Sequence, residues 1–160
     1  MAGLRGEADL VIDTSGLSPH GLRDRVVRLL GSEAGGDHLT VSVISFGFKY
    51  GAPRDADVVL DCRFLPNPHW VQDLRDRPGT DPAVGDYVRG QEAYRRFLEG
   101  VRGLLDAMLP GLADEGKSYQ TVALGCTGGR HRSVVAAEDV AAFLRERGLA
   151  ATVEHRDVDR

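Results

Sequence analysis

The chain has 160 residues, enough for one domain with a real core. Hydrophobic residues make up 42% and charged residues 28%, and the formal charge of −4 leaves no global basic field to hold nucleic acid. Only two cysteines occur, Cys62 and Cys126, so no disulfide framework is indicated, and no apolar stretch has the length of a membrane span. Met1 to Arg5 starts nothing like a signal peptide, so a reducing cytoplasm is the expected compartment. No pair of Cys or His stands at zinc-ligand spacing, and neither a metal nor a cofactor is expected.

Residues 8–13 form a short apolar strand candidate, followed by a helix from Ser18 to about Leu30 with Leu22, Val26, Val27 and Leu30 on one face. Leu39 to Phe46 is β-branched and apolar, a strong strand signal, and Val58 to Leu60 is a shorter one. Residues 63–82 carry four prolines and read as an irregular, functional loop. From Asp86 to Leu109 the apolar positions recur with helical period, and Pro110-Gly111 is expected to end that helix. Tyr119 to Gly125 is a strand, Val134 to Arg147 a helix stopped by Gly148, and Ala151 to Glu154 a last strand. This alternation predicts an α/β fold, a single layered domain with a mainly parallel sheet.

In such sheets ligands bind outside the carboxyl ends of the strands. Three loops follow three strands here: Gly47 to Gly51, Arg63 to Trp70, and Gly125 to Ser133. If their strands are neighbours, Lys49, Arg63, Asn67, His69 and His131 converge on one crevice.

The third loop, Gly125-Cys126-Thr127-Gly128-Gly129-Arg130-His131-Arg132-Ser133, is a glycine-rich strand-to-helix turn. Its free backbone N–H groups at the positive end of a helix suit an anion. A tight turn with Cys126 buried as a small hydrophobe would need the two glycines as well. The cations Arg130 and Arg132 favour the anion site, because the helix dipole repels them there unless something negative sits among them.

The same turn satisfies Cys-x5-Arg-Ser, the loop of cysteine-dependent phosphatases, in which a thiolate attacks and an arginine grips the phosphoryl oxygens. That family usually has histidine before the cysteine, where Gly125 stands, and it needs a general acid, for which Asp73, Asp76 and Asp81 are available. Lys49, between two glycines, is a phosphate contact or a solvated turn lysine. His69, stiffened by Pro66 and Pro68, is a ligand-binding imidazole or a loop histidine packed beside Trp70.

Several stretches occur in a telling order: Val43 to Gly51, Asp61 to Trp70, Leu74-Arg75 with Gly79 and Asp81, Gly125 to Val134, and His155-Arg156-Asp157. Across 39–157 the chain resembles the C-terminal domain of the RapZ family, the RNase adapter or YvcJ-like nucleotide-binding proteins. The resemblance implies a fold related to part of phosphofructokinase, spanning 39–160. Residues 1–30 would be a remnant of the family's N-terminal P-loop domain or a linker helix.

It further implies a dimer or tetramer that senses an amino-sugar metabolite, such as glucosamine-6-phosphate or a UDP-sugar. In some members it implies binding of small RNA and delivery of it to an endoribonuclease. Lys49, His69, Thr127, Gly128, Gly129, His131 and Arg132 match the family's anion pocket. RNA-binding members end in a basic tail; here the last five residues, 156–160, hold two arginines against two aspartates, a departure that weakens an RNA partner. The expected function is a non-catalytic regulatory domain for a phosphorylated sugar, with a cysteine phosphatase using Cys126 as the alternative.

Overall fold

Four strands form one all-parallel sheet: β1 (Thr40–Gly47), β2 (Val58–Asp61), β3 (Tyr119–Cys126) and β4 (Ala150–His155), in the order β2-β3-β1-β4. The computed structural model describes residues 39–160 apart from Gly116 and Ser118, together with Thr14, Leu22 and Val26. Two compact units divide the chain at Gly36, and the sheet lies wholly in the second. The expected strand at 8–13 and most of the expected helix at 18–30 fall outside the described residues; Leu22 and Val26 are helical.

Burial follows strand position. β3 is central, and every residue from Gln120 to Cys126 is buried, as a strand covered on both faces requires. β2 and β4 are edges and alternate half-buried with exposed residues. Val41, Val43, Val122 and Leu124 make the sheet's part of the core, fully buried against Val135, Val140 and Leu144.

Three helices complete the unit: α1 (Pro82–Arg89), α2 (Glu92–Asp114) and α3 (Arg132–Glu146). Helix α3 packs on β1, β3 and β4, and α1 and α2 pack in turn on α3. Asp81 caps α1, its carboxylate accepting from Ala83 N–H at 2.8 Å, and Pro82 follows at the first helical position.

The single helix expected over 86–109 is therefore two. Gln91 takes an extended ψ of 130°, which breaks the ladder at Gly90-Gln91, where the apolar stripe skips a turn between Tyr87 and Tyr94. Pro110 does not end α2 either; the helix continues to Asp114. Proline there deprives only the Asp106 carbonyl of its donor, and both residues are exposed, so water can replace the bond. The segment 62–81 is irregular as expected, save for a 3-10 turn at Pro68–Trp70 in which Asn67 Oδ1 accepts from His69 N–H at 3.3 Å. Among the described residues no helix is long and apolar enough to cross a membrane.

Candidate anion-binding site

The carboxyl ends of β1, β2 and β3 point the same way, because the strands are parallel and β3 lies between the other two. The loops after them enclose a cleft of about 610 Å³. Of the residues expected to form a site, the cleft wall includes Lys49, Asn67, His69, Cys126, Thr127, Gly128, Arg130, His131 and Arg132. The backbones of two loops are joined directly, Lys49 N–H donating to the Thr127 carbonyl at 3.1 Å.

Arg63, Gly129 and Ser133 do not line it. Arg63 is taken up elsewhere: its guanidinium makes a fork with Asp61, Nη2 to Oδ2 at 2.7 Å, and lies 4.0 Å over the Phe48 ring. Its contribution is a backbone carbonyl. Ser133 is fully buried beneath the turn, its hydroxyl 3.2 Å from Cys126 Sγ. Gly129 is a packing glycine with φ +77°; a Cβ there would stand 2.6 Å from Gly47 N and 2.9 Å from Asp157 Cβ.

Arg132 occupies the first position of α3 and is only 4% exposed. Its Nη1 donates to the Arg63 and Leu65 carbonyls, each at 2.8 Å, and Nη2 reaches Thr127 Oγ1 at 3.4 Å. The buried Nε has no partner, and among the described residues no carboxylate pairs with this side chain. A buried guanidinium half-satisfied by carbonyls is electrostatically incomplete. The unused Nε and weakly used Nη2 form one edge of the fork, the arrangement that holds two oxygens of an oxyanion.

His131 precedes α3 without capping it by side chain. Its Nε2 lies 3.1 Å from the Arg75 carbonyl, so Nε2 carries the proton and donates to that oxygen. Burial pushes this imidazole below its ordinary range, against the pull of the Arg75 and Arg77 carbonyls. The neutral ring ties the 75–77 loop to the turn.

The cleft also holds Tyr50, Trp70, Arg75, Asp76 and Arg160. Trp70 is 78% exposed and lies 5.4 Å from the His69 ring, edge-on. Five cations (Lys49, Arg75, Arg130, Arg132, Arg160) face one acid, Asp76, a local excess set against the chain's net negative charge. Arg75, in the Leu74-Arg75 stretch of the resemblance, and Arg160 were not expected at the site; the meeting of distant loops brings them there. Of the three candidate acids, Asp76 alone lines the cleft; Asp81 is spent capping α1 and pairing with Arg77 at 3.5 Å.

The closing His155-Arg156-Asp157 braces this site from beneath. Asp157 is fully buried, and its Oδ2 accepts from Gly47 N–H at 2.8 Å and from Arg156 Nη2 at 2.6 Å. Arg156 Nη2 also donates to the Gly51 carbonyl at 2.7 Å. Burial pushes the Asp157 carboxyl up, but the Arg156 guanidinium and the Gly47 amide outweigh it and hold it below the usual carboxylate range.

Residues 39–159 match the family model described as the RapZ C-terminal domain. A nucleotide-binding protein of Frankia alni is 51% identical over all 160 residues, which cover 55% of that protein. Nucleotide-binding proteins of a Nocardioides species and of Thermobifida fusca are 51% and 49% identical, over 100% and 98% of the chain and 53% of each relative. The chain thus spans about half the length of these curated relatives. With one family model covering most of its residues and curated relatives matching along its whole length, the chain belongs to the RapZ C-terminal domain family.

Proposed function

We propose that the cleft binds a phosphorylated amino-sugar metabolite, of the glucosamine-6-phosphate or UDP-sugar type, and that the domain is a non-catalytic regulator. The observation that carries this is Arg132, a buried cation with an unpartnered Nε and no carboxylate, in the wall of a cation-rich cleft. The phosphate takes the Nε/Nη2 edge and the amides of Thr127 to Gly129, Lys49 and His69 close over it, and the sugar lies toward Trp70. The relatives' description as nucleotide-binding proteins is compatible with a nucleotide-sugar ligand. Calorimetric titration with glucosamine-6-phosphate and a UDP-sugar, under reducing conditions, tests the reading. Binding weakened about tenfold, or roughly 1.4 kcal/mol, in Lys49→Ala supports it; no binding of either ligand refutes it.

A second reading, cysteine-dependent phosphatase, is favoured by one contact, the Cys126 to Ser133 hydrogen bond at 3.2 Å, and by the presence of Asp76 in the cleft. Hydrolysis of an aryl phosphate that is lost in Cys126→Ser would establish it. Retained phosphate binding without turnover would leave the regulatory reading alone.

A further inference from the structure

Cys62 has no part in the anion site, yet its place in the sheet ties it to that site. β2 and β3 pair in parallel register as far as Asp61 opposite Gly125. The bond that closes this pair, from Cys62 N–H to the Gly125 carbonyl at 2.7 Å, keeps the strands together up to Cys62, and the register places Cys62 beside Cys126. Neighbouring strands lie about 4.8 Å apart, within the roughly 4.4–6.8 Å between Cα atoms that a disulfide bridges. Residues opposite one another on paired strands share a face of the sheet, and both cysteines belong to the same apolar cluster. Both are free thiols. Both are buried, but Cys126 lines the cleft and Cys62 does not.

We propose that Cys62 and Cys126 form a reversible disulfide under peroxide, and that this bond switches off the anion cleft. The switching half rests on the reading of the cleft given above. A hydroperoxide small enough to enter the cleft meets Cys126 first. The Cys126 sulfur attacks the O–O bond and becomes a sulfenic acid, and the departing hydroxide takes up the thiol proton as water. Cys62 sulfur then attacks Cys126 Sγ, the S–O bond breaks, and the Cys62 proton leaves with the hydroxide as a second water. Two thiols are oxidised by two electrons and one peroxide is reduced to two waters.

Burial, with the neighbouring Cys126 second, pushes the Cys62 thiol far up, which disfavours its thiolate and leaves the first attack on peroxide to the cleft-lining Cys126. The order of events is therefore built into the two environments.

The bond reaches the anion site through two connections already present. Cys126 Sγ leaves its contact with the Ser133 hydroxyl, at the foot of the turn. Cys62 also begins the segment whose Arg63 and Leu65 carbonyls hold Arg132 Nη1, so drawing it toward Cys126 displaces those acceptors. The turn and its arginine move together.

The test treats the full chain with hydrogen peroxide and reads cross-linking by peptide mass spectrometry and inorganic phosphate binding by calorimetry. The expected result is a Cys62–Cys126 cross-linked peptide, phosphate affinity weaker by about tenfold or more, and full recovery with dithiothreitol. In Cys62→Ala, dimedone should instead capture a sulfenic acid on Cys126. Progression of wild-type Cys126 to sulfinic acid with no cross-link would overturn the proposal. A cross-link that leaves phosphate affinity unchanged would overturn the switch. Failure of the reduced protein to bind phosphate would overturn the reading of the cleft, and the two failures separate because the cross-link is read by mass.

Discussion

Arg132 Nη1 donates to the Leu65 carbonyl at 2.8 Å, fastening the first turn of α3 to the loop after β2. The same nitrogen holds the Arg63 carbonyl, so one guanidinium both shapes the cleft and leaves an edge for its occupant. Arg132→Ala should therefore do more than abolish anion binding. Loss of two charge-assisted bonds, one buried and one part-buried, should lower stability by about 2–4 kcal/mol, measured by urea denaturation. Arg132→Lys should recover part of the stability, having the charge, but little affinity, having no fork.

The brace under the site makes its own prediction. Asp157→Ala leaves the Gly47 amide without its acceptor and Arg156 without its carboxylate, at a cost of about 2–3 kcal/mol. Because the folded carboxyl titrates below its unfolded range, its contribution is present at neutral pH and is lost as pH falls through the folded value. Urea midpoints from pH 7 downward should fall less steeply in the variant than in the wild type.

His131 adds to the same acid limb by a different route. Its folded pKa is depressed by burial, so below the ordinary value of about 6.5 the unfolded chain binds a proton that the folded one refuses. Stability should fall as pH drops through that value and hold steady above it. His131→Gln keeps a donor for the Arg75 carbonyl and should flatten this part of the profile.

Gly129→Ala tests the closeness of the turn to β1. With φ at +77° and a Cβ 2.6 Å from Gly47 N, the methyl group has neither the backbone region nor the space. A loss of about 3 kcal/mol is expected, with phosphate binding lost alongside. Calorimetry and thermal melting on one sample would show both.

How far these features could be read from sequence depends on their range. The four described strands stand where β-branched runs placed them, since a strand's period is local. The break at Gln91 was missed although Gly90-Gln91 leaves a gap in the apolar stripe between Tyr87 and Tyr94, because the stripe resumes in phase after it. Lys49, His69 and the glycine-rich turn were legible because each lies in a loop directly after a strand. Arg63 shared that position, but Asp61 two residues earlier captures its guanidinium, and the short acid–base spacing was the available clue. Arg75 and Arg160 reach the cleft through loop and tail packing, which has no sequence period. The two cysteines pointed to no disulfide framework in the sequence, and only strand register sets Cys62 beside Cys126.

The most direct measurement compares glucosamine-6-phosphate with unphosphorylated glucosamine by calorimetry on the reduced wild-type protein. Recognition centred on the free edge of Arg132 predicts binding of the phosphorylated sugar, competed by inorganic phosphate, and none of the other. Equal binding of both sugars, or phosphate binding that survives intact in Arg132→Lys, would contradict it.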